Sequence, residues 1–537
     1  MLQVTWTNGP ALVSDSLQTD LQTALTSSAN VYSSDTQEVV KDAAGRDGDA
    51  AYNAAPIQLT RTYYSPYHMH GSVGPSCAVA NVTSAPDANG IQATVWSGTQ
   101  GVYPLQQAIA QILGLPQSAV RVIYTEGAGC YGHNGADDAA ADAALMSQLV
   151  GQPVRLQWMR WDEHAWEPLG PAMAHTLKGG LDSKGNFVAW SHTVYSPPHN
   201  SRPGGGGSLL AGQEMGLIPP SLPIGPVNAG TRNGPVNYYF PAMKLSANHV
   251  QPFMTTSNGA AASPLVNTLP RSSALRSLGG MSNSFANESF IDELWLAALA
   301  ANPSNKANAD PIAFREQYVC ALSGSSGSPT SVPVAGVDQR AVAALEAMRQ
   351  QAGWGSPLAP PSAGAVAGKG VAFVRYETVE TYVAAYVEVE VTTAPGPTAG
   401  NVWVRRVVIA HDCGLIINPD GLKNQIEGNV IQGISRTLIE EVQFNTSGVT
   451  SLVWSSGSTI PPSAAYPVVH FNQVPSSIEI VLLDHPEQFT TLPTTPSWGA
   501  GEPTIEVVAP AIANAIFNAI GKRMTVLPIT AQRVLSA

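Results

Sequence analysis

Trp498-Gly499-Ala500-Gly501-Glu502-Pro503, with the run Val507-Val508-Ala509-Pro510-Ala511-Ile512-Ala513-Asn514-Ala515-Ile516 behind it, decides how this chain is read. Val508, Ala511, Ile512, Ala515, Ile516 and Ala519 recur at helical spacing and predict a helix through Ile520, while Gly501 and Pro503 forbid regular structure just before it. Glu502 is therefore set in a tight turn at a helix entrance. Taken alone, such an acid is a first-turn carboxylate favoured by the helix dipole.

At 537 residues the chain exceeds one ordinary core and calls for two or more domains. A net charge of −12 argues against a nucleic-acid or anionic-membrane surface. Charged residues make up 12%, about half the usual share of roughly 25%, which suggests that partners cover much of the surface. Cys77, Cys130, Cys320 and Cys413 form no CxxC pair, so neither an iron–sulfur ligand set nor a structural zinc site is expected here. No apolar run approaches a membrane span of about 20 residues, and Met1–Trp6 reads as a strand rather than a signal sequence, so a soluble chain is expected.

Working forward from the N-terminus, the first 50 or so residues are polar, with one helical segment at Leu17 to Leu25. Arg61 to Ala78 gathers aromatics, turn residues, His68 and His70; two histidines spaced i, i+2 share one strand face and could bind a metal, but no third ligand is evident and packed histidines are favoured. Val95 to Gly101 and Val120 to Tyr124 read as strands, Pro104 to Leu113 and Ala136 to Val150 as helices. Between the second strand and second helix lies Glu126-Gly127-Ala128-Gly129-Cys130-Tyr131-Gly132-His133-Asn134-Gly135, a glycine loop at a helix N-terminus and hence an expected anion site. Pro153 to Arg160 predicts a strand and Trp161 to Glu167 an irregular stretch, whose Asp162, Glu163, His164 and Glu167 are read as local hydrogen-bonding charges in preference to a metal site. Gly and Pro accumulate in a long loop over 196–235, suited to lining an entrance or wrapping a partner.

Ser284 to Ala301 predicts a helix, and Pro- and Ser-rich stretches at Ser323–Val334 and Ser356–Ala367 bracket another at Asp338–Gln351. The expected division is a first domain over 1–322, a linking region with one helix over 323–368, and a second domain over 369–537. Val371–Arg375, Tyr382–Val391 and Val402–Ala410 alternate as strands, with Ala394–Pro397 as a turn. A helix capped by Asp420 then carries Gln425-Ile426-Glu427-Gly428-Asn429-Val430-Ile431-Gln432-Gly433.

Gly501-Glu502-Pro503 and the helix behind it resemble the signature closing the molybdenum-cofactor large subunit of the xanthine dehydrogenase family, in the branch of isoquinoline 1-oxidoreductase and nicotinate dehydrogenase. The resemblance implies a two-domain α+β fold with the cofactor between the domains, and Glu502 as general base. It implies further that Gln100, and Tyr131 thirty-one residues later, match a cofactor-contacting glutamine and the aromatic of a glycine loop, with Gly132 supplying a backbone amide and Gly129 and Gly501 flanking the cofactor. Gln425 matches a glutamine buried against the pterin, and Arg276 an arginine facing the pocket, where a guanidinium could hold a carboxylate or steady developing negative charge.

Tyr131 stands where the xanthine-type enzymes carry Phe, and Gly135 where they carry a substrate-binding Glu, so purine recognition is not expected. His133 and Asn134 resemble the nicotinate dehydrogenase branch, with the alternative that they cap the following helix; Tyr131, His133 and Arg276 are the expected pocket residues. The implied reaction is hydroxylation of an N-heteroaromatic compound with water as oxygen source. The alternatives are oxidation of an aldehyde to an acid, or a non-catalytic assembly subunit. The implied cofactor is molybdopterin with molybdenum, in its cytosine dinucleotide form. [2Fe–2S] clusters are expected on a small partner subunit and a cytochrome as a candidate acceptor. A Gly-Gln-Gly segment that longer members carry upstream has no counterpart, so the expectation is either that a separate polypeptide supplies that region or that this chain is a fragment.

Overall fold

The computed structural model describes residues 22–23, 25–28, 31–37, 47–197, 199, 204–217, 230–250, 271–323, 332–377, 380–445, 448–455, 461–485 and 497–537. The strand expected at Met1–Trp6, most of the helix expected at Leu17–Leu25, most of Ser323–Val334, and 200–203 and 218–229 of the long loop lie outside them.

β1 (Val31–Gln37) and β2 (Ile57–Ser65) are the edges of a first sheet. β3 (Cys77–Val82), β4 (Ala93–Ser97), β5 (Val120–Tyr124) and β6 (Val154–Gln157) make a second, ordered β5-β4-β3-β6. β7 (Met173–Leu181), β8 (Phe187–Ser196) and β9 (Ala242–Val250) complete the first as β1-β9-β8-β7-β2, antiparallel except for the parallel pair β8/β9. In the second sheet β3 and β4 bury alternate residues, the pattern of a sheet with one packed face, and α1 (Val102–Leu113) and α2 (Ala136–Val150) provide the packing. Alanines 139, 140, 141, 143 and 144 of α2 are fully buried, which lets the helix lie close to the strands.

α3 (Gly280–Ala301) covers β2 and β7. A hairpin of β10 (Cys320–Ser323) and β11 (Val332–Val337) leads to α4 (Gln339–Ala352), which the sequence placed in a linking region and which lies against the strands that follow. Those are β12 (Ala365–Tyr376), β13 (Thr381–Thr392) and β14 (Val402–Asp412). After α5 (Pro419–Leu438) and the small hairpin β15 (Phe444–Asn445) and β16 (Gly448–Val449), β17 (Ser477–Leu482) joins parallel to β14, giving the third sheet β12-β13-β14-β17. Every residue from Thr381 to Val391 is buried, so both faces of β13 are covered, and the helices packed on it are α4 and α6 (Ile505–Ile520).

α6 ends at Ile520, as its spacing suggested, and is buried almost all round. All residues from Ile505 to Ile516 are buried, because β12, α3 and α5 enclose it. The approach to β12 is backbone to backbone: a β-carbon on Gly370 would lie 2.2 Å from the Ala511 carbonyl oxygen, and one on Gly368 2.2 Å from that of Ala515. Two local expectations change. Trp161–Glu167 falls in a short helix, Arg160–Trp166, with Asp162 accepting the Met159 N–H at 2.9 Å. Asn418 rather than Asp420 caps α5, accepting the Gly421 N–H at 2.9 Å ahead of Pro419, because a cap must precede the helix and Asp420 sits in its first turn. One hydrophobic core runs unbroken from the first sheet through α3 and α6 to the third sheet, while the second sheet keeps a core of its own.

Candidate active site

The loop between β5 and α2 is built on left-handed backbone: φ is +95° at Gly129, +55° at Tyr131 and +132° at Gly132. The Tyr131 carbonyl accepts the Arg276 N–H at 2.8 Å, and the His133 N–H donates to the Ala274 carbonyl at 3.0 Å. These two bonds flank the antiparallel pair Gly132/Leu275 and make it a non-hydrogen-bonded pair, so the Gly132 N–H points away from that strand. A β-carbon at Gly132 would meet the Ala274 oxygen at 2.0 Å, which leaves glycine as the residue the position admits. The helix end behind the loop is not the open anion site expected. The Asn134 side chain accepts the Ala136 N–H at 3.1 Å, and Asp137 and Asp138 occupy the first turn.

Arg276 joins this loop to two others. Its Nε donates to the Gly501 carbonyl at 2.7 Å, Nη1 to Gln432 Oε1 at 2.8 Å and Nη2 to Gln425 Oε1 at 2.8 Å, while its guanidinium stands 5.8 Å from the Tyr131 ring centre. Burial, with Arg436 nearby, lowers its pKa to about 10, still well above neutrality. The two residues after it, Ser277 and Leu278, are both left-handed without being glycine, at φ +70° and +53°. Such strain persists where surrounding contacts hold it, and it aims the Ser277 N–H at Glu502 Oε1, 3.2 Å away. The Tyr376 hydroxyl, at the end of β12, donates to the other Glu502 oxygen. Behind Glu502, one helical turn on, Glu506 is fully buried and takes hydrogen bonds from Asn233 Nδ2 at 2.6 Å and Ser284 Oγ at 3.1 Å.

Glu502, Gly501, Arg276, Gln425, Tyr131 and Gly132 thus meet at one place. Gln100 stands on the rim, exposed, with its Nε2 donating to Cys130 Sγ at 2.9 Å. Gln425 is likewise exposed. Gly129 lies under the Tyr131 ring, which a β-carbon there would meet at 2.8 Å. His133 turns from the site into the protein: it is 8% exposed and faces Asp137 at 3.4 Å. His68 and His70 are buried, and His70 Nε2 lies 3.0 Å from the Ala274 carbonyl. Glu163 takes the Ser76 N–H at 2.6 Å, and His164 packs edge-on to Trp454. Among the described residues no group of His, Cys, Asp and Glu could hold a metal ion, and no helix is long and apolar enough to cross a membrane.

Sequence reasoning missed Tyr376, Glu506, Gln432 and Arg436. A signal existed for the last two. Gln425, Asn429, Gln432 and Arg436 fall at i, i+4, i+7 and i+11, one polar stripe along one face of the helix.

A two-domain α+β chain that brings a glycine-loop amide, two glutamines, an arginine and a glutamate together between its sheets defines the class of molybdenum hydroxylase large subunits. Comparison with known proteins agrees. Models of the molybdopterin cofactor-binding domain match residues 31–200 and 324–453. The chain is 34% identical to a nicotinate dehydrogenase subunit of Pseudomonas putida, over 93% of this chain and 36% of that one. It is 25% identical to the beta subunit of isoquinoline 1-oxidoreductase from Brevundimonas diminuta, over 83% of this chain and 47% of the relative. It therefore spans between about a third and half the length of these curated relatives. In structure it is similar to quinoline 2-oxidoreductase from Pseudomonas putida 86, with a TM-score of 0.72 and 13% identity over 99% of this chain and 82% of the other. The chain belongs to the molybdopterin-binding oxidoreductases of the xanthine dehydrogenase family.

Proposed function

We propose that this chain is the catalytic part of a molybdenum hydroxylase that oxidises an N-heteroaromatic compound, with Glu502 as general base. The observation that carries the reading is the setting of Glu502. Its two oxygens are held by the Ser277 N–H and the Tyr376 hydroxyl, in the turn that Arg276 fastens to Gln425 and Gln432. The donor set suits the cofactor: the Gly132 N–H turned from its neighbouring strand and the exposed amides of Gln100 and Gln425 are groups that would hold a hydrogen-bonding, anionic molybdopterin. When bound, molybdenum supplies the two-electron oxidant and activates the water-derived oxygen. Glu502 would serve as the proton acceptor beside that group, and the Tyr376 hydroxyl and the Ser277 N–H would keep its carboxylate oriented. Arg276 has three donors committed to the protein, so its part is to position the Glu502 turn.

Residues 1–322 and 369–537 act in this reading as the two cofactor-binding domains. The cytosine dinucleotide form of the cofactor, a small [2Fe–2S] subunit as electron outlet and a cytochrome acceptor complete it. The substrate class is supported by the nicotinate and isoquinoline relatives. The test is Glu502→Gln in the assembled complex, with nicotinate, isoquinoline and aldehydes as substrates. Turnover of the heteroaromatics should vanish while molybdenum is retained. An unchanged rate removes Glu502 as the base, and oxidation of aldehydes alone removes the substrate class.

A further inference from the structure

Arg436 is a charged group at the site that the reaction outlined above leaves unused. It lies in the last turn of α5, is 2% exposed, and lines a cavity of about 400 Å³ together with Tyr131, Gln432, Trp454, Ile431 and Val469. Taking a guanidinium out of water costs several kcal/mol unless acceptors replace the lost hydration. Elsewhere the molecule meets that demand: the fully buried Arg315 sits 3.0 Å from Glu288, and Arg276 has its three protein acceptors. Among the described residues the Arg436 guanidinium makes no ion pair and donates no hydrogen bond; Glu440, four residues on and lining the same cavity, acts on it through space. Glu440 is itself committed, taking the Tyr466 hydroxyl at 2.7 Å, and burial holds its pKa above the ordinary carboxyl value. Arg436 is thus a cation without a hydrogen-bonded partner at the wall of a cavity to which Ile431, Val468, Val469 and Trp454 give apolar surface and His70, Gln432, Ser435 and Glu440 give polar groups. Trp454 is a fixed wall, clamped by Arg160 over its ring at 4.5 Å and by His164 at 4.8 Å. Tyr131 and Gln432 border this cavity and also meet Arg276, which links it to the turn that carries Glu502.

We propose that Arg436 is the receptor for a substrate carboxylate: the cavity takes a flat N-heteroaromatic acid, with its ring between the apolar walls and its carboxylate on the Arg436 guanidinium. The volume suits one or two rings, and a guanidinium matches a carboxylate with two parallel N–H donors. This rests on the heteroaromatic reading and moves the carboxylate-holding role from Arg276, where the sequence placed it, to Arg436.

Calorimetric titration of the assembled complex with nicotinate, benzoate and the neutral nicotinamide tests it by binding, independently of turnover. R436M should bind both carboxylates at least tenfold more weakly and nicotinamide as the parent does, and R436K should recover part of the carboxylate affinity. The melting temperature of R436M should equal or exceed that of the parent, since an unpaired buried charge is removed. Unchanged carboxylate affinity in R436M overturns the proposal. So does an equal loss for nicotinamide, which marks a collapsed pocket, or a loss of molybdenum with carboxylate affinity intact, which gives the guanidinium to the cofactor. If R436M does not fold, an R436K protein that folds but has no preference for nicotinate over nicotinamide overturns it as well. Carboxylates that bind through Arg436 in a complex unable to hydroxylate any heteroaromatic would sink the proposed activity and leave this site standing.

Discussion

Glu502 takes one hydrogen bond from main chain and one from a side chain, and the second can be removed without disturbing the backbone that supports the first. Tyr376→Phe should lower kcat about tenfold, the scale of a lost hydrogen bond to a charged group at about 1.5 kcal/mol. KM and molybdenum content should hold, and steady-state kinetics beside metal analysis check this. Glu506 makes a different prediction. Burial, and the neighbouring Glu377 and Glu502, hold its pKa well above the ordinary carboxyl value against the lowering effect of Asn233 and Ser284. The folded chain therefore keeps a proton that the unfolded chain gives up, so this group's contribution is intact below the ordinary carboxyl range and is lost as pH rises above it. Glu506→Gln should gain in stability relative to the parent as pH rises from about 4 to about 8, as denaturant unfolding at the two pH values would show, and a difference independent of pH would refute it.

Among the elements, the loop between β5 and α2 allows a paired test. Gly132→Ala places a methyl 2.0 Å from the Ala274 oxygen at φ +132°, so it should cost about 3 kcal/mol and release the cofactor. Gly127, in the same loop, has open space where its β-carbon would lie, and Gly127→Ala should stay within about 0.5 kcal/mol of the parent. Thermal melts and molybdenum content of the two variants separate them. Local pattern made much of this legible in the sequence. β5 and α2 begin and end as their spacing predicts, and Tyr131, Arg276, Gln425 and Glu502 gather at one place with Gln100 on the rim. What stayed hidden depends on contacts between distant segments. Tyr376 is an ordinary strand tyrosine until Glu502 is laid beside it, and Arg436 reads as a helix-end cation until its burial is known. His133 misled because a motif assigns a residue to a loop, not a direction to its side chain.

At the scale of the molecule, the division at 323–368 separates strands but not cores. α6 lies against α3 as well as β12, and Glu288 of α3 accepts the Phe373 N–H at 3.0 Å while pairing with Arg315. A fragment of residues 1–322 would expose the α3 face of a core it shares with α6, so it should show no cooperative melt by circular dichroism. In the full chain the first and third sheets should unfold in a single transition. The seating of α6 on Gly368 and Gly370 also bears on how such a chain can diversify. Because that contact is main chain against main chain, the place where the helix starts, and with it the carboxylate two turns upstream of Pro510, is insulated from drift in the side chains around it. The walls contributed by α5 and by Trp454 are instead held by side chains, Val508 against Gly433 and Arg160 and His164 against Trp454, which substitution can change. Lineages descended from one ancestor are then free to change what they oxidise while the base stays where it is.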